Sequence, residues 1–211
     1  SIFKGRVCNV VRGIQAAFID IGLEQNAFLY LGDKMDVTEG QSILVQISKD
    51  ARGTKGPTAT REVTLPGKYV VLLPYASYLR VFSNITVKGE GEGVVIACEA
   101  AKPEGVGIVI RTAATGVSEE LLAADIAELV AAWRVLVARE KLAKAPALLR
   151  RELDLAIRIA RDYLRPDLTE IMIDDLAIYK RVEELMKNVP QAKNVKLKMY
   201  QGLEDIFAYC G

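Results

Sequence analysis

Two phenylalanines and two cations in the N-terminal part of the chain have types and positions that suit nucleic-acid binding. Phe18 and Phe28 come late in two apolar runs, among small residues, and Arg52 and Lys55 lie in a short basic loop. Aromatic rings stack on nucleobases while cations follow the phosphate backbone. The alternatives are that both rings are buried in the core, a common fate of phenylalanine, and that the loop is an ordinary surface hairpin.

Arg111 and Thr112 form a second candidate, at the end of an apolar run and before a loop of small residues. A guanidinium meets two phosphate oxygens at once, and a neighbouring hydroxyl and backbone N–H groups would complete a cradle for a terminal phosphate. The alternative, which the residues alone favour, is that Arg111 pairs with a nearby carboxylate. The adjacent acids Asp174 and Asp175 are interpreted as a strand end followed by a helix N-cap.

The composition excludes several classes of site. The 211 residues include no histidine, which removes Ser-His and Cys-His nucleophile pairs and histidine-ligated metals. With 28 Lys and Arg against 27 Asp and Glu, the net charge is +1, so any contact with nucleic acid must come from a local patch. Three scattered cysteines are typical of a reducing cytoplasm. No apolar run approaches the roughly 18 residues of a membrane span.

Residues 1–64 are predicted to form a small β-barrel. Runs of β-branched residues within residues 4–29 predict three short strands. Alternating side chains predict a fourth strand at 42–49, and residues 57–64 supply a fifth. Five short antiparallel strands with glycine-rich turns favour an OB-type barrel, whose open face binds oligonucleotides. The alternative is a small barrel that contacts another protein.

From residue 65 onward, apolar strands alternate with helices, which predicts an α/β layer with parallel pairing. A helix that starts after Ser118 is predicted to bury one face: Leu122, Ile126, Leu129, Trp133 and Leu136. Further helices are predicted between Pro146 and about Leu164 and at 175–187, whereas residues 86–97 are rich in glycine and have poor helix propensity. The predicted fold class is therefore mixed, α+β and α/β.

Ordered motifs run through both parts of the chain. The first part has Phe-Lys-Gly-Arg-Val at 3–7, Ala-Ala-Phe-Ile-Asp-Ile-Gly at 16–22 and Asn-Ala-Phe-Leu at 26–29. The second has Leu-Pro-Gly-Lys-Tyr-Val-Val-Leu-Leu-Pro at 65–74 and Gly-Ile-Val-Ile-Arg-Thr-Ala-Ala at 107–114. In this order the motifs resemble the N-terminal region of the bacterial ribonuclease E/G family.

The resemblance implies three segments: an S1 RNA-binding domain with an OB fold at 1–64, an α/β 5′-sensor domain at 65–193, and the start of an RNase H-like subdomain at 194–211. It implies that Phe18, Phe28 and Lys55 contact single-stranded RNA, and Arg52 joins them through its charge. It further implies that a 5′-monophosphate is held by four residues: Gly67, Val71, Arg111 and Thr112.

The resemblance also implies what the parent protein does. The family comprises cytoplasmic endoribonucleases of rRNA processing and mRNA decay that assemble as homo-oligomers, and their Mg²⁺ is held by carboxylates of a later, DNase I-like domain. This chain shows no counterpart of those carboxylates, so we expect it to have no catalytic or metal-binding residue of its own. We expect a fragment that binds RNA without cutting it.

One stretch departs from the family, and two other functions stay open. A family pair of arginines is replaced by Ser83 and Asn84, and the first of that pair helps at the phosphate pocket, so we expect weakened sensing. The alternatives to a ribonuclease fragment are a stand-alone RNA-binding adaptor and a protein-interaction or assembly module.

Overall fold

The structure is a computed structural model that describes residues 1–33, 36–81, 90–151, 168–187, 190–202 and 206. The chain divides into two compact units, Ser1–Glu152 and Leu153–Gly211. The first unit contains the barrel and the sheet that follows it, and therefore all the candidate binding residues.

Five strands close into a barrel at the N-terminus, as the sequence predicts: β1 (Ile2–Val11), β2 (Ala16–Asp20), β3 (Ala27–Tyr30), β4 (Ser42–Lys49) and β5 (Thr58–Thr60). The strand order is β1-β2-β3-β5-β4, and β4 pairs again with β1 to close the sheet. This topology is consistent with an OB-like barrel. The prediction of purely antiparallel pairing was wrong at one place, because β3 and β5 run parallel.

The barrel core follows the two-residue period of the strands. Val7, Ala17, Ile19, Leu29 and Val45 are almost completely buried. Since alternate residues of β2 and β3 face inward, the residues between them are directed to the outer surface of the barrel. This alternation decides which side chains can meet a ligand.

A four-stranded sheet and two helices form the second part of the same unit. Its strands are β6 (Leu65–Pro66), β7 (Val70–Leu73), β8 (Leu79–Val81) and β9 (Gly107–Ile110), in the order β6-β7-β9-β8. The pairing of β8 with β9 is parallel, whereas β7 and β9 are antiparallel. In this sheet the predicted parallel pairing is therefore confirmed for β8 and β9, between which a helix lies in the sequence, and is wrong for β6–β7 and β7–β9.

The helices α1 (Glu90–Ala101) and α2 (Glu119–Leu142) pack together against this sheet. The predicted buried face of α2 is confirmed, since Leu122, Ile126, Leu129 and Leu136 are buried and Trp133 is partly buried. The glycine-rich stretch, by contrast, becomes helical from Glu90. Its Val94, Ala97 and Cys98 are buried in the same core as α2, and this packing outweighs the low propensity of glycine.

Strand β10 (Ala147–Arg150) connects the two parts, because it pairs antiparallel with the start of β1. The sequence predicts a helix there, and that prediction was wrong for these four residues; residues 152–167 lie outside the described part. The Lys4 ammonium lies 3.0 Å from the Glu140 carboxylate and donates to the Glu140 carbonyl at 2.7 Å. These contacts fasten the barrel to the end of α2.

The second unit contains β11 (Glu170–Ile173), α3 (Leu176–Lys187) and β12 (Lys196–Met199), with β11 and β12 parallel. Asp175 caps α3 as predicted, because its carboxylate accepts a 2.8 Å hydrogen bond from the Ile178 amide. Across the described ranges, we find no helix with the length and apolar character needed to cross a bilayer. The predicted domain boundaries at 64 and 193 stay predictions.

Replacing Gly5 by alanine should destabilise the barrel. A Cβ at this position would overlap Ile19 Cγ2 and lie 3.1 Å from the Asp20 carbonyl oxygen, and overpacking of this kind costs about 1–3 kcal/mol. Chemical denaturation of Gly5→Ala measures the loss. Gly13→Ala is the matched control, since nothing lies within 4 Å of a Cβ there; equal stabilities of the two variants would contradict the packing.

The reactivity of the Cys98 thiol should follow the opening of the core that α1 and α2 form with the four-stranded sheet. Burial, with a smaller contribution from the negative charge of Asp125, raises the pKa of the Cys98 thiol to about 11, so at pH 8 only about one thiol in a thousand is ionised. In a Cys210→Ser background, we expect exposed Cys8 to react with a disulfide reagent at once and Cys98 only after denaturant is added. Fast modification of both thiols in native protein would contradict this burial.

Candidate nucleic-acid interface

Phe18 and Phe28 face each other across neighbouring strands on the outside of the barrel. They are direct partners in the β2–β3 pairing, and their ring centroids lie 5.9 Å apart in an edge-to-face arrangement with a 72° interplanar angle. Neither ring belongs to the buried core, and both are partly exposed. The core alternative for these two phenylalanines therefore does not hold in the structure.

The basic loop is a tight hairpin beside these rings. Arg52 and Lys55 exchange two backbone hydrogen bonds of 3.0 Å, and Gly53 between them has φ +57°, a left-handed conformation that glycine adopts without strain. Both cationic side chains are exposed. The hairpin thus presents two positive charges to solvent from a fixed backbone.

The hairpin is held against the barrel by the residues that follow it. The Phe28 amide donates to the Pro57 carbonyl at 2.8 Å. At Gly56 the chain passes so close to the Asn26 carbonyl that no Cβ would fit. Glycine at this position therefore permits a close approach that brings the basic hairpin to the aromatic pair.

Together the rings and the hairpin line one open groove of about 1110 Å³. All four residues that the sequence predicts for this face belong to its lining: Phe18, Phe28, Arg52 and Lys55. The groove also contains residues that the sequence analysis missed: Ser48, Lys49, Thr54 and Thr58. Three cations against the one carboxylate, that of Asp50, give the lining a positive balance although the net charge of the chain is only +1.

Among the four residues that the sequence analysis missed, Lys49 is the one that adds a positive charge to the groove. It is the last residue of β4 and lies opposite Thr58 of β5, so its place in the groove depends on the pairing of two strands that are distant in sequence. A cation at the end of an alternating run next to the basic loop is the only signal that could have indicated it.

Arg111 follows β9 and contacts a turn between β6 and β7. Its Nη1 donates to the carbonyl oxygens of Gly67 and Lys68, at 2.6 and 3.1 Å. Its backbone amide donates to the Tyr69 carbonyl at 2.9 Å. The guanidinium is therefore oriented by backbone carbonyl groups, a contact that the sequence did not predict.

The other three residues of the predicted phosphate site lie near Arg111, and we call the area formed by Gly67, Val71, Arg111 and Thr112 the corner at Arg111. Gly67 begins the turn, and its amide donates to the Val70 carbonyl at 2.8 Å. Val71 lies on β7 opposite Val109, two residues before Arg111. Thr112 is exposed and begins a single 3₁₀ turn directly after Arg111. The structure thus brings the four predicted residues together.

Two further predictions, on the departure from the family pattern and on metal ligands in the whole chain, stay predictions. Ser83 and Asn84, where the sequence departs from the family pattern, lie outside the described residues. No group of three or more His, Cys, Asp or Glu side chains suited to a metal ion occurs within the described ranges.

Comparison with known proteins gives one family and several relatives. A model of the ribonuclease E/G family matches residues 64–211. Ribonuclease G of Escherichia coli strain K12 is 36% identical over 229 aligned positions, which cover 98% of this chain and 47% of that protein. Ribonuclease E of Haemophilus influenzae is 32% identical over 231 positions, covering 99% of this chain and 24% of that protein.

A third relative extends the comparison to another organism. Ribonuclease E of a Nostoc species is 35% identical over 201 positions, which cover 89% of this chain and 29% of that protein. The chain spans less than half the length of each of these three relatives. With 98% and 99% of this chain covered, the first two alignments nevertheless span both the barrel and the sheet.

Proposed function

The chain belongs to the ribonuclease E/G family, and from that premise we propose that it is the RNA-binding part of an endoribonuclease of RNA processing and decay. Its barrel holds single-stranded RNA, and the corner at Arg111 recognises a 5′-monophosphate end. Cleavage, with the Mg²⁺ that it uses, belongs in this proposal to the part of the parent that the chain does not span. This chain by itself binds RNA in the cytoplasm without cutting it.

The groove with the Phe18–Phe28 pair is the observation that carries the proposal. Two partly exposed rings on the outside of a barrel expose apolar area that a base can cover by stacking. Lys49, Arg52 and Lys55 line the same groove and provide charge for the phosphate backbone. Stacking and charge do not read the base edges, so the expected affinity is moderate and tolerant of sequence.

Recognition of the 5′ end is supported by the way Arg111 is held. A guanidinium whose plane is fixed in advance loses less conformational freedom when it makes a bidentate contact with a phosphate. The carbonyl groups of Gly67 and Lys68 fix that plane in the structure. The exposed hydroxyl of Thr112, next in the chain, is available as a further donor to a phosphate oxygen.

Removing the aromatic rings should weaken RNA binding. We expect Phe18→Ala and Phe28→Ala each to raise the Kd for a short single-stranded RNA by about 5- to 150-fold, the equivalent of one lost base stack. Tyr30→Ala is the control, because Tyr30 is exposed on β3 but does not line this groove.

RNA binding should also weaken as salt rises. A plot of the logarithm of the association constant against the logarithm of the salt concentration should have a slope of about −2, from three phosphate contacts. Absent or salt-independent binding would instead favour the assembly module.

Arg111 should determine the preference for a 5′-monophosphate. We expect Arg111→Gln to raise the Kd for a 5′-monophosphorylated oligonucleotide by about tenfold or more and to leave the Kd for its 5′-hydroxyl counterpart unchanged. Arg111→Lys keeps the charge but loses the planar fork, so it should retain only part of the preference. A wild-type chain that binds both oligonucleotides equally would overturn 5′-end recognition while leaving RNA binding by the barrel intact.

A further inference from the structure

The turn between β6 and β7 is hydrogen-bonded to the side chain of Asp125, a residue of α2. Its carboxylate accepts hydrogen bonds from three consecutive backbone amides, those of Lys68 at 3.1 Å, Tyr69 at 2.8 Å and Val70 at 3.0 Å. A single carboxylate with three amide donors is a strong, charge-assisted anchor. It ties a turn at residues 67–70 to a helix more than fifty positions away in the sequence.

Gly67 makes room for this anchor. A Cβ at position 67 would lie 2.7 Å from both carboxylate oxygens of Asp125 and 2.8 Å from Leu129 Cδ1. Real Cβ atoms do not approach other atoms so closely, so a larger residue would displace either the turn or the carboxylate. In this fold, therefore, the absence of a side chain at Gly67 has a structural reason that involves Asp125 directly.

The same turn is held on its carbonyl groups by Arg111. While Asp125 takes the amides of Lys68, Tyr69 and Val70, the Arg111 guanidinium takes the carbonyl oxygens of Gly67 and Lys68. The turn therefore lies between the two side chains and is hydrogen-bonded to both. Any shift of the turn away from Asp125 moves the carbonyl groups that orient the guanidinium.

We propose that Asp125 is a positioning residue for recognition of the RNA 5′ end, acting through the turn to orient Arg111. The inference rests on the proposed function, since it gives a supporting residue for the same phosphate site. Asp125 does not touch the phosphate in this arrangement. Its carboxylate accepts hydrogen bonds from backbone amides of the turn and so holds the turn in place. The carbonyl groups of the turn then fix the plane of the Arg111 guanidinium before RNA binds.

The experiment compares three variants of the full 211-residue chain with matched oligonucleotides carrying a 5′-monophosphate or a 5′-hydroxyl. Asp125→Ala removes both carboxylate oxygens and with them all three hydrogen bonds, whereas Asp125→Asn retains one carbonyl acceptor in the same shape. Glu128→Ala is the control, because Glu128 is exposed on the same helix and its loss removes an equal charge. The quantity measured is the ratio of the two Kd values for each variant.

We expect Asp125→Ala to reduce the preference for the 5′-monophosphate by about tenfold, through loss of charge-assisted bonds that orient Arg111. Asp125→Asn should have an intermediate preference and Glu128→Ala an unchanged one. The Kd for the 5′-hydroxyl oligonucleotide should stay within about twofold in all three, since general stacking on the barrel is not involved. If Asp125 had only a structural role, Asp125→Ala would raise the Kd values for both oligonucleotides by a similar factor.

Amide hydrogen exchange provides a second readout in the same proteins. Exchange at Lys68, Tyr69 and Val70 should accelerate in Asp125→Ala while the amides of the barrel core keep their protection. If Asp125→Ala fails to fold, Asp125→Asn alone decides, through its ratio and its exchange at these three amides.

The outcomes separate the two proposals. If the wild-type chain discriminates between the two ends and Asp125→Ala discriminates equally well, the role of Asp125 is wrong and 5′-end recognition stands. If the wild-type chain binds both ends equally, 5′-end recognition fails, and with it any role of Asp125 in orienting Arg111 for a phosphate.

Discussion

Strand β1 is the element on which the first unit depends, because it belongs to two hydrophobic cores at once. Phe3 is buried in the barrel core, whereas its neighbour Ile2 is buried in the core of the second sheet and its helices. Successive side chains of a strand point to opposite faces, so one strand reaches both cores. Its pairing with β2, β4 and β10 closes the barrel and joins it to the segment after α2. The two candidate sites are consequently parts of one compact unit.

The barrel groove follows from the same alternation. Ala17, Ile19, Ala27 and Leu29 fill the interior, which directs Phe18 and Phe28 outward as partners on neighbouring strands. The edge-to-face contact between them covers part of each ring and leaves the rest accessible. Three cations gather around this pair in a chain whose total charges nearly cancel. Local arrangement, and not net charge, therefore gives this surface its suitability for a polyanion.

The corner at Arg111 uses a different principle, in which charged side chains organise backbone groups. Arg111 and Asp125 carry opposite charges, and each is bonded to peptide groups of the turn at residues 67–70. An isolated turn would leave these groups to water, and its conformation would vary. In the structure the guanidinium binds carbonyl groups of the turn and the carboxylate binds its amides, so peptide groups of both kinds have charged partners.

The amino-acid sequence by itself determined the local periodicities. It indicated the five barrel strands, the buried face of α2 and the cap at Asp175, because alternation, helical spacing and turn residues are encoded within a few positions. Gly67 and Val71, by contrast, were named only through the family resemblance, and only the structure shows that Phe18 and Phe28 lie outside the core. Tertiary structure decided the rest. Several features depend on partners far away in the chain. These are the parallel pairing of β3 with β5, the strand at Ala147–Arg150 in place of a helix, the helical glycines of α1, and the positions of Lys49 in the groove and of Asp125 beside the turn. Those partners are brought together by burial and by backbone hydrogen bonding across the whole fold, which no short stretch of sequence contains.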